Sequence, residues 1–257
     1  KRLQGFRMLV RILLGSQQAT QSSGFFVFIF KFCLFLVQNI NMKAIIIGAT
    51  GATGEFLVDE LLNDNDYTLV TIFVRKPTRK QNPKLVEHVI DFSRIEDYKN
   101  LIVGDVIFSC LGTTLKAAGS KVNQIKIDFD IPVAFAKIGK ENRITSFVLL
   151  SAYGASSNSN VFYSQLKGKL EDAISELNFE QFVIFKPGLL LREDSDRLGE
   201  KISASLLKFV NAIGLFRKFK PMPTDLLAKK LAKAPKLLPK GTSIIQLEEI
   251  FSFPKSI

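Results

Sequence analysis

The sequence is poor in the side chains that hydrolases and metalloenzymes need. Its 257 residues include one histidine, His88, and two cysteines, Cys33 and Cys110, which lie far apart. This composition gives no disulfide framework and no spacing typical of metal ligands. A Ser-His-Asp site or a zinc site would have to be built around His88. We therefore expect no bound metal, and the cysteine usage predicts a reducing, cytoplasmic location.

Acidic residues are absent from residues 1–41, which hold five basic ones. The net charge of +11 for the whole chain would suggest nucleic acid or an anionic membrane. After residue 41, however, the balance is a moderate 30 basic against 24 acidic residues. The basic runs at 217–220 and 229–236 lack interleaved aromatic residues beyond Phe219, which is typical of a solvated face. No nucleic-acid partner is expected.

The chain also lacks an apolar run of the roughly 20 residues that a bilayer-spanning helix needs. The most apolar run, residues 24–37, is interrupted by Lys31, and no small-residue cleavage site follows it. Residues 1–41 therefore form a membrane anchor, an unusual targeting leader, or translated upstream sequence. We favour the last and expect the native protein to start at Met42, just before a predicted strand. No membrane partner is expected unless residues 24–37 are an anchor.

From residue 42 onward, short apolar runs alternate with patterns of helical period. The predicted strands are Ala44–Ile47, Leu69–Val74, His88–Ile90, Val106–Ser109, Phe147–Leu150, Phe182–Phe185 and Ser243–Leu247. Predicted helices follow Gly54 and cover Ile127–Glu141, Phe162–Leu177 and Thr224–Ala234, the last bounded by prolines. This alternation predicts one α/β domain over residues 42–257: a doubly wound parallel sheet in a three-layer α/β/α arrangement.

The first predicted strand leads directly into the glycine loop, residues 48–54, with the sequence "GATGATG". Gly48, Gly51 and Gly54 separate the strand from a helix, which is the order that dinucleotide binding requires. The glycines permit a sharp turn, close approach of a pyrophosphate and tight packing of helix on strand. We expect the loop, with its Thr50, Ala52 and Thr53, to contact the cofactor. A loop of the ATP-binding type is disfavoured because no Lys-Ser/Thr pair follows Gly54.

The end of the second predicted strand bears on which cofactor is bound. It carries two cations, Arg75 and Lys76, where an acidic residue would grip the ribose of NAD. Because Arg suits a ribose with a 2′-phosphate, the sequence favours NADP(H). At the end of the third strand, Asp91 and Phe92 are candidates to bracket the adenine.

Tyr163 and Lys167 form the only Tyr-x-x-x-Lys in the sequence, a spacing that places both on one helix face. A nearby ammonium stabilises a phenolate and lowers the pKa of the tyrosine. Such a pair can exchange a proton with a carbonyl or alcohol group while a nicotinamide exchanges hydride. Ser151 ends the fifth strand at the edge where open α/β sheets bind ligands. We therefore take these three residues as the catalytic candidates.

Several segments resemble the atypical short-chain dehydrogenase/reductases, and in particular their Tat-interacting-protein-like branch. They are "GATGATG", "CLGTT" at 110–114, "LLSAYGA" at 149–155, "YSQLKGKLE" at 163–171 and "FKPGLLLRE" at 185–193. The likeness starts near Met42. It implies a Rossmann fold that binds NADPH, with Cys110, Leu111 and Gly112 along the cofactor and Pro187 and Gly188 beside the nicotinamide. It also implies that Tyr163 is the general acid/base, that Lys167 holds the nicotinamide ribose and that Ser151 polarises the substrate.

The chain departs from the family pattern at two places. "SCLG" replaces the Asn-Ala-Gly signature of the larger family, and the sequence alone does not place that family's active-site Asn, which leaves the proton relay unassigned. Ala152 follows Ser151 where the branch often has a second Ser.

Together these features predict an NADP(H)-dependent oxidoreductase that acts on a small-molecule carbonyl or alcohol substrate, with residues 189–223 covering the substrate pocket. The alternative is an NADP(H)-binding redox sensor that regulates a protein partner. The presence of both Tyr163 and Lys167 favours catalysis.

Overall fold

The computed structural model describes residues 41–191 and 220–254. The predictions made for residues 1–40, and those for most of the proposed substrate segment at 189–223, lie outside the described residues.

The central element is a seven-stranded, fully parallel sheet in the order β3-β2-β1-β4-β5-β6-β9. Its strands are β1 (Met42–Ile47), β2 (Tyr67–Val74), β3 (Leu85–Val89), β4 (Val106–Ser109), β5 (Ser146–Leu150), β6 (Gln181–Lys186) and β9 (Gly241–Gln246). A separate parallel pair joins β7 (Leu190–Leu191) to β8 (Met222–Pro223). The first six strands of the large sheet have the Rossmann order, so the predicted fold class is confirmed.

Helices cover both faces of this sheet. They are α1 (Gly54–Asn63), α2 (Leu115–Ala118), α3 (Lys121–Ile125), α4 (Ile131–Glu141), α5 (Phe162–Ser175), α6 (Thr224–Leu237) and α7 (Glu248–Ser252). A 3-10 helix spans Ile95–Leu101, and a π-helical turn, Lys126–Asp130, joins α3 to α4.

The apolar run of β1 divides between two cores because successive strand side chains point to opposite faces. Ala44 and Ile46 pack into the core beneath α1 and α6, whereas Ile45 and Ile47 pack into the core beneath α4 and α5. All four side chains are fully buried. A strand that is covered on both faces reads as a continuous apolar run, which is why the sequence predicts β1 well.

The helix predicted over Ile127–Glu141 is not one regular helix. Its start falls in the π-helical turn, and α4 begins at Ile131 with Pro132 in its first turn. The predicted end of α6 at Ala234 is also wrong, because the helix continues through Pro235 to Leu237. A proline so close to a helix end removes one backbone hydrogen bond and leaves the earlier turns intact.

Helix α6 is tied to the first half of the chain. Tyr67 Oη, in β2, donates to the carbonyl of Ala232 at 2.8 Å, and Lys236 pairs with Asp64 and Asp66. Lys229, in the same basic run, pairs with Asp225. Lys230 donates to the backbone carbonyls of Phe251 and Phe253. Most of this run therefore has partners within the protein.

Candidate functional site

The glycine loop is shaped by two backbone approaches that exclude a side chain. At Gly48 (φ +82°), a Cβ would lie 2.6 Å from the carbonyl carbon of Cys110. At Gly54, a Cβ would lie 2.0 Å from the carbonyl oxygen of Gly48. Both distances are shorter than carbon contacts allow, so only glycine permits β1, α1 and the segment after β4 to pack this closely.

Two cavities open along the carboxyl ends of the strands, on either side of the segment Cys110–Thr113. The large cavity, of about 730 Å³, is bordered by the glycine loop, the start of α5 and this segment. The small cavity, of about 300 Å³, lies beside the end of β2. The two cavities share six of their lining residues: Thr50, Gly51, Cys110, Leu111, Gly112 and Thr113. The cavities therefore form one elongated cleft that crosses the middle of the sheet edge.

Most of the predicted site residues line this cleft. Those in the large cavity, apart from the six shared residues, are Ala52, Thr53, Ser151, Tyr163 and Lys167. Those in the small cavity, again apart from the shared residues, are Gly48, Arg75 and Phe92. The structure thus brings the three catalytic candidates together at one end of the cleft and places Arg75 at the other.

Five predicted cofactor residues line neither cavity. Gly54 is packed inside α1, and Lys76 is exposed. Asp91 accepts hydrogen bonds from the backbone and hydroxyl of Ser93, which lower the pKa of its carboxyl group. Pro187 is buried and its carbonyl accepts from the Tyr153 amide, while Gly188 packs against Leu247.

Lys167 is the most buried ionisable group of the cleft, with 1% of its surface exposed. Its Nζ donates to the carbonyl oxygen of Leu111 at 3.1 Å. Burial lowers the pKa of Lys167, and the negative charge of Asp128 opposes that shift most strongly, ahead of Cys110 and Glu171. Tyr163, one turn earlier on α5, is 39% exposed at the cavity surface.

Ser151 follows β5 and is held by two hydrogen bonds. Its amide donates to the carbonyl of Phe185 at 2.9 Å, and its Oγ donates to Glu171 Oε1 at 2.5 Å. The other carboxylate oxygen of Glu171 pairs with Lys186 at 2.6 Å. The hydroxyl proton of Ser151 is therefore directed to Glu171, and its lone pairs are left for the cavity. Sequence reasoning missed Glu171, which lies four residues after Lys167 on the buried face of α5.

Two further buried polar side chains lie beneath the cleft and were also missed. Asp128, in the π-helical turn, is fully buried; its Oδ1 accepts the amide of Thr113 at 2.8 Å. Gln124 Nε2 donates to the carbonyl of Thr113 at 3.0 Å. Asp128 Oδ2 and Gln124 Oε1 are buried without a hydrogen-bond partner among the described residues. A signal was present in the sequence. Gln124 and Asp128 are four residues apart, and the buried stripe that they begin continues with Pro132 and Phe135.

Cys110 separates the two cavities but is not an activated nucleophile. Burial raises the pKa of its thiol to about 12, although the ammonium of Lys167 acts in the opposite direction. The side chain is therefore neutral at physiological pH and serves as part of the cleft wall.

The cleft has the features that a dinucleotide cofactor requires. The glycine loop offers a backbone surface without side chains, followed at once by the N-terminus of α1. Thr50 and Gly51 are exposed where the two cavities join, and a basic residue and an aromatic residue stand at one end, with Tyr163 and Lys167 at the other. The residues present therefore fit an extended dinucleotide that crosses the glycine loop.

The described residues contain neither a helix suited to span a membrane nor a cluster suited to bind a metal ion. No helix within residues 41–191 and 220–254 is long and apolar enough to cross a bilayer. In the same part of the chain, no group of three or more His, Cys, Asp or Glu side chains is arranged to hold a metal ion.

Comparison with known proteins identifies a family. Residues 48–203 match the model of a family described as NAD(P)H-binding. Protein HTATIP2 of Rattus norvegicus is 35% identical over 166 residues, which cover 62% of this chain and 68% of that protein. The mitochondrial protein FMP52 of Eremothecium gossypii is 36% identical over 153 residues, covering 59% and 68%. The FMP52 protein of Candida albicans is 32% identical over 188 residues, covering 70% and 82%.

Solved structures of more distant proteins share the fold. The oxidoreductase ylbE from Lactococcus lactis has a TM-score of 0.50 and 21% identity, covering 60% of this chain and 73% of that one. UDP-glucose 4-epimerase from Thermotoga maritima has a TM-score of 0.61 and 12% identity, covering 80% and 76%. At these identities the likeness concerns the fold.

The expected cytoplasmic location is contradicted by these relatives. The FMP52 proteins of Eremothecium gossypii, Aspergillus oryzae, Scheffersomyces stipitis and Candida albicans are all named as mitochondrial. The expectation rested on cysteine usage, and the mitochondrial matrix is also a reducing compartment, so two cysteines do not distinguish it from the cytoplasm.

The family match, the relatives and the Rossmann sheet lead to one conclusion: this chain belongs to the NAD(P)H-binding family and is an atypical short-chain dehydrogenase/reductase of the HTATIP2/FMP52 type.

Proposed function

We propose that the protein is an NADP(H)-dependent oxidoreductase that interconverts a carbonyl group and an alcohol. The observation that carries this proposal is the shared cavity of about 730 Å³, which is lined by the glycine loop and by Ser151, Tyr163 and Lys167. A dinucleotide site and a proton-transfer pair thus open into the same space. A protein that only senses the cofactor would need the dinucleotide site but not the proton-transfer pair.

In this proposal the proton is handled by α5. A bound nicotinamide supplies or accepts the hydride. Tyr163, exposed to the cavity, gives a proton to the substrate oxygen during reduction and takes it back during oxidation. Lys167 lies one helical turn further on, where a buried positive charge stabilises the phenolate that forms when the proton is transferred. The carbonyl oxygen of Leu111 fixes the position of that charge.

The proposed role of Ser151 is narrower than the family resemblance implies. Because its hydroxyl proton is donated to Glu171, Ser151 accepts hydrogen bonds from the cavity side. It can orient the hydroxyl of Tyr163 or of an alcohol substrate, and it polarises a carbonyl only after releasing Glu171. Glu171 is itself held by Lys186, which opposes that release.

The preference for NADP(H) over NAD(H) rests on Arg75. Arg75 follows β2 and lines the small cavity together with Phe92. Arginine binds phosphate in a planar, bidentate manner, which suits the 2′-phosphate that distinguishes the two cofactors. Asp91, the acid after the third strand, has its carboxylate engaged with Ser93.

The substrate end of the cleft favours an apolar, uncharged carbonyl compound. Beyond the three catalytic candidates, the wall there includes Leu115, Leu150, Val161, Phe162 and Leu190. Lys167 is the sole basic side chain among the described residues that line the large cavity, and it is buried on the cofactor side. Among the described residues of this wall, an anionic substrate would thus find no exposed cation.

The proposal is tested by NADPH oxidation in the presence of a panel of ketones, aldehydes and quinones that vary in chain length and charge. We expect turnover with apolar carbonyl compounds and little with carboxylated analogues of the same length. Tight NADPH binding without turnover of any compound in the panel would argue for the cofactor-sensing alternative.

We further propose a mitochondrial location, supported by the printed names of the fungal relatives. Fractionation of cells that express the full chain with a C-terminal tag tests it. Recovery of the tagged protein in the soluble cytosol would contradict the proposal.

A further inference from the structure

Ser151 is held from beneath the large cavity by two charged side chains. Glu171, on the buried face of α5, places one carboxylate oxygen 2.6 Å from the Nζ of Lys186, the last residue of β6. The two side chains are largely buried, with 11% and 13% of their surfaces exposed. Because burial makes an unpaired charge costly, each group needs the other, and the ammonium keeps the carboxylate ionised.

The ionised carboxylate fixes the direction of the hydrogen bond to Ser151. A carboxylate only accepts, so the Ser151 hydroxyl donates to Glu171 Oε1 across 2.5 Å. If the hydroxyl turned toward the cavity, a buried carboxylate oxygen would lose its donor, which is costly for a charged group. Ser151 lines the large cavity, and it therefore presents acceptor lone pairs to a ligand there.

Tyr163 cannot serve this acceptor during the proposed reaction. Its hydroxyl has one proton, and that proton must point to the carbonyl oxygen that is to be reduced. A simple ketone brings only acceptor lone pairs, so its oxygen and that of Ser151 would both face the cavity as acceptors. A substrate that also carries a donor next to its carbonyl group removes this conflict.

We propose that the protein selects carbonyl compounds with a hydroxyl group on the carbon beside the carbonyl, and that Glu171 is the positioning residue that sets this selectivity. The substrate hydroxyl donates to Ser151 while Tyr163 donates to the carbonyl oxygen. The inference rests on the proposed function for its reaction. Hydride from NADPH reduces the carbonyl carbon, Tyr163 protonates the oxygen, and the products are NADP+ and a vicinal diol.

Binding to a complex that cannot react tests the selectivity without depending on turnover. The full chain is saturated with the tetrahydro derivative of NADP, whose ring does not transfer hydride. Calorimetric titrations then compare three probes: 2-octanone, 3-hydroxy-2-octanone and 3-methoxy-2-octanone. We expect the hydroxy ketone to bind about tenfold more tightly than either of the others, because it alone donates to Ser151. The methyl ether keeps the added oxygen without its proton, and the plain ketone excludes an effect of the bulk of the ether.

Glu171→Gln tests the role of the carboxylate. The ammonium of Lys186 takes the amide oxygen in this variant, so the amide NH2 faces Ser151 and donates to it. The serine proton is then released toward the cavity, where it favours an acceptor. We expect the tenfold preference to fall to about twofold or less. Asp172→Asn, which changes the exposed acid that follows Glu171 on α5, is the matched control and should retain the preference.

Equal affinities of the wild type for the three probes would overturn the proposal, as would an unchanged preference in Glu171→Gln. If Glu171→Gln does not fold, Ser151→Ala removes the acceptor itself and should abolish the preference. A preference that persists in Ser151→Ala would contradict the proposal. Failure to oxidise NADPH with every carbonyl compound tested would remove the proposed function and leave the binding result standing.

Discussion

At the scale of single residues, the proton donor is the simplest part of the proposed mechanism to test. Tyr163→Phe removes one hydroxyl oxygen at the cavity surface and leaves the aromatic ring in place. We expect turnover of a carbonyl substrate to fall by about 100-fold or more, because general acid catalysis is lost. NADPH affinity, measured by fluorescence titration, should stay nearly the same.

Tyr98→Phe is the matched control for this change. Tyr98 lies in the 3-10 helix and lines neither cavity, so its hydroxyl should be dispensable for turnover. Equal losses in the two variants would remove Tyr163 from the mechanism.

The structure also separates two cations that the sequence left equivalent. Arg75 lines the small cavity and Lys76 does not, although both are exposed after β2. We expect Arg75→Ala to weaken NADPH binding by about tenfold or more, because a charge-assisted hydrogen bond to phosphate is lost. NADH binding should hardly change, since NADH has no group at that position.

Calorimetric titration of both cofactors into Arg75→Ala and Lys76→Ala decides between the two side chains. A larger loss in Lys76→Ala would transfer the phosphate contact to that residue. Equal losses of NADPH and NADH in Arg75→Ala would show that the arginine supports the fold, and a wild-type preference for NADH would remove the cofactor proposal.

At the scale of elements, two glycines of one loop should respond to alanine in opposite ways. In Gly54→Ala the new Cβ would meet the carbonyl oxygen of Gly48 at 2.0 Å, so α1 must move away from β1. We expect a loss of about 2–3 kcal/mol in the free energy of unfolding, seen as a Tm lower by about 6 °C or more.

In Gly51→Ala the Cβ would lie 3.3 Å from the same oxygen, on a surface shared by both cavities. Here we expect little change in Tm and a loss of NADPH affinity of about tenfold or more, because the methyl group stands where the cofactor phosphates would pass. Thermal unfolding and cofactor titration are measured on both variants. A Gly51→Ala protein with normal affinity would place the phosphates elsewhere.

The elements that could be predicted from the sequence are those whose pattern is local. The strands β1 and β4 are short apolar runs covered on both faces, and β4 was predicted with its bounds correct. The glycine loop and the pair Tyr163 and Lys167 could be proposed from the sequence because each depends on short-range spacing, the loop between strand and helix and the pair within one helix. The edge strand β3 was predicted to start at His88, three residues late, because its partly exposed sequence carries little apolar signal.

The parts that could not be predicted depend on contacts between distant segments. Glu171 acquires its role through Ser151 and Lys186, twenty and fifteen residues away. Asp128 lies on a stripe of helical spacing, but its role depends on the amide of Thr113, fifteen residues away, which no local pattern indicates. Which of the neighbouring residues Arg75 and Lys76 lines the small cavity likewise depends on the packing of distant segments around it.

At the scale of the whole molecule, the buried Tyr67 predicts how stability depends on pH. Burial, followed by the carboxylates of Asp64 and Asp66, raises the pKa of Tyr67 far above its ordinary value of 10.0. A group whose pKa is raised by folding stabilises the native state below its unfolded pKa and loses that contribution as pH rises. Above about pH 10, the unfolded chain releases a proton that the folded chain retains.

We therefore expect the free energy of unfolding to fall by about 1.4 kcal/mol per pH unit above pH 10 on account of Tyr67. Tyr67→Phe should lack this part of the slope, while at neutral pH it should be less stable by about 1–3 kcal/mol because the carbonyl of Ala232 loses its donor. Urea unfolding at several pH values measures both effects. Parallel pH profiles for the two proteins would show that Tyr67 ionises as readily in the folded state.

The packing of α6 on α1 also bears on how the protein is made. Of the sheet and its helices, β1, α1 and β2 are synthesised first. The apolar face of α1 that includes Leu57 and Leu61 is covered only when Leu227 and Leu231 of α6 have been made, about 170 residues later. Until then, this face of the nascent chain is open to holdase chaperones. A premature stop before Thr224 would release a polypeptide whose glycine loop is complete but whose adjoining core is uncovered, and we expect such a product to aggregate or be degraded.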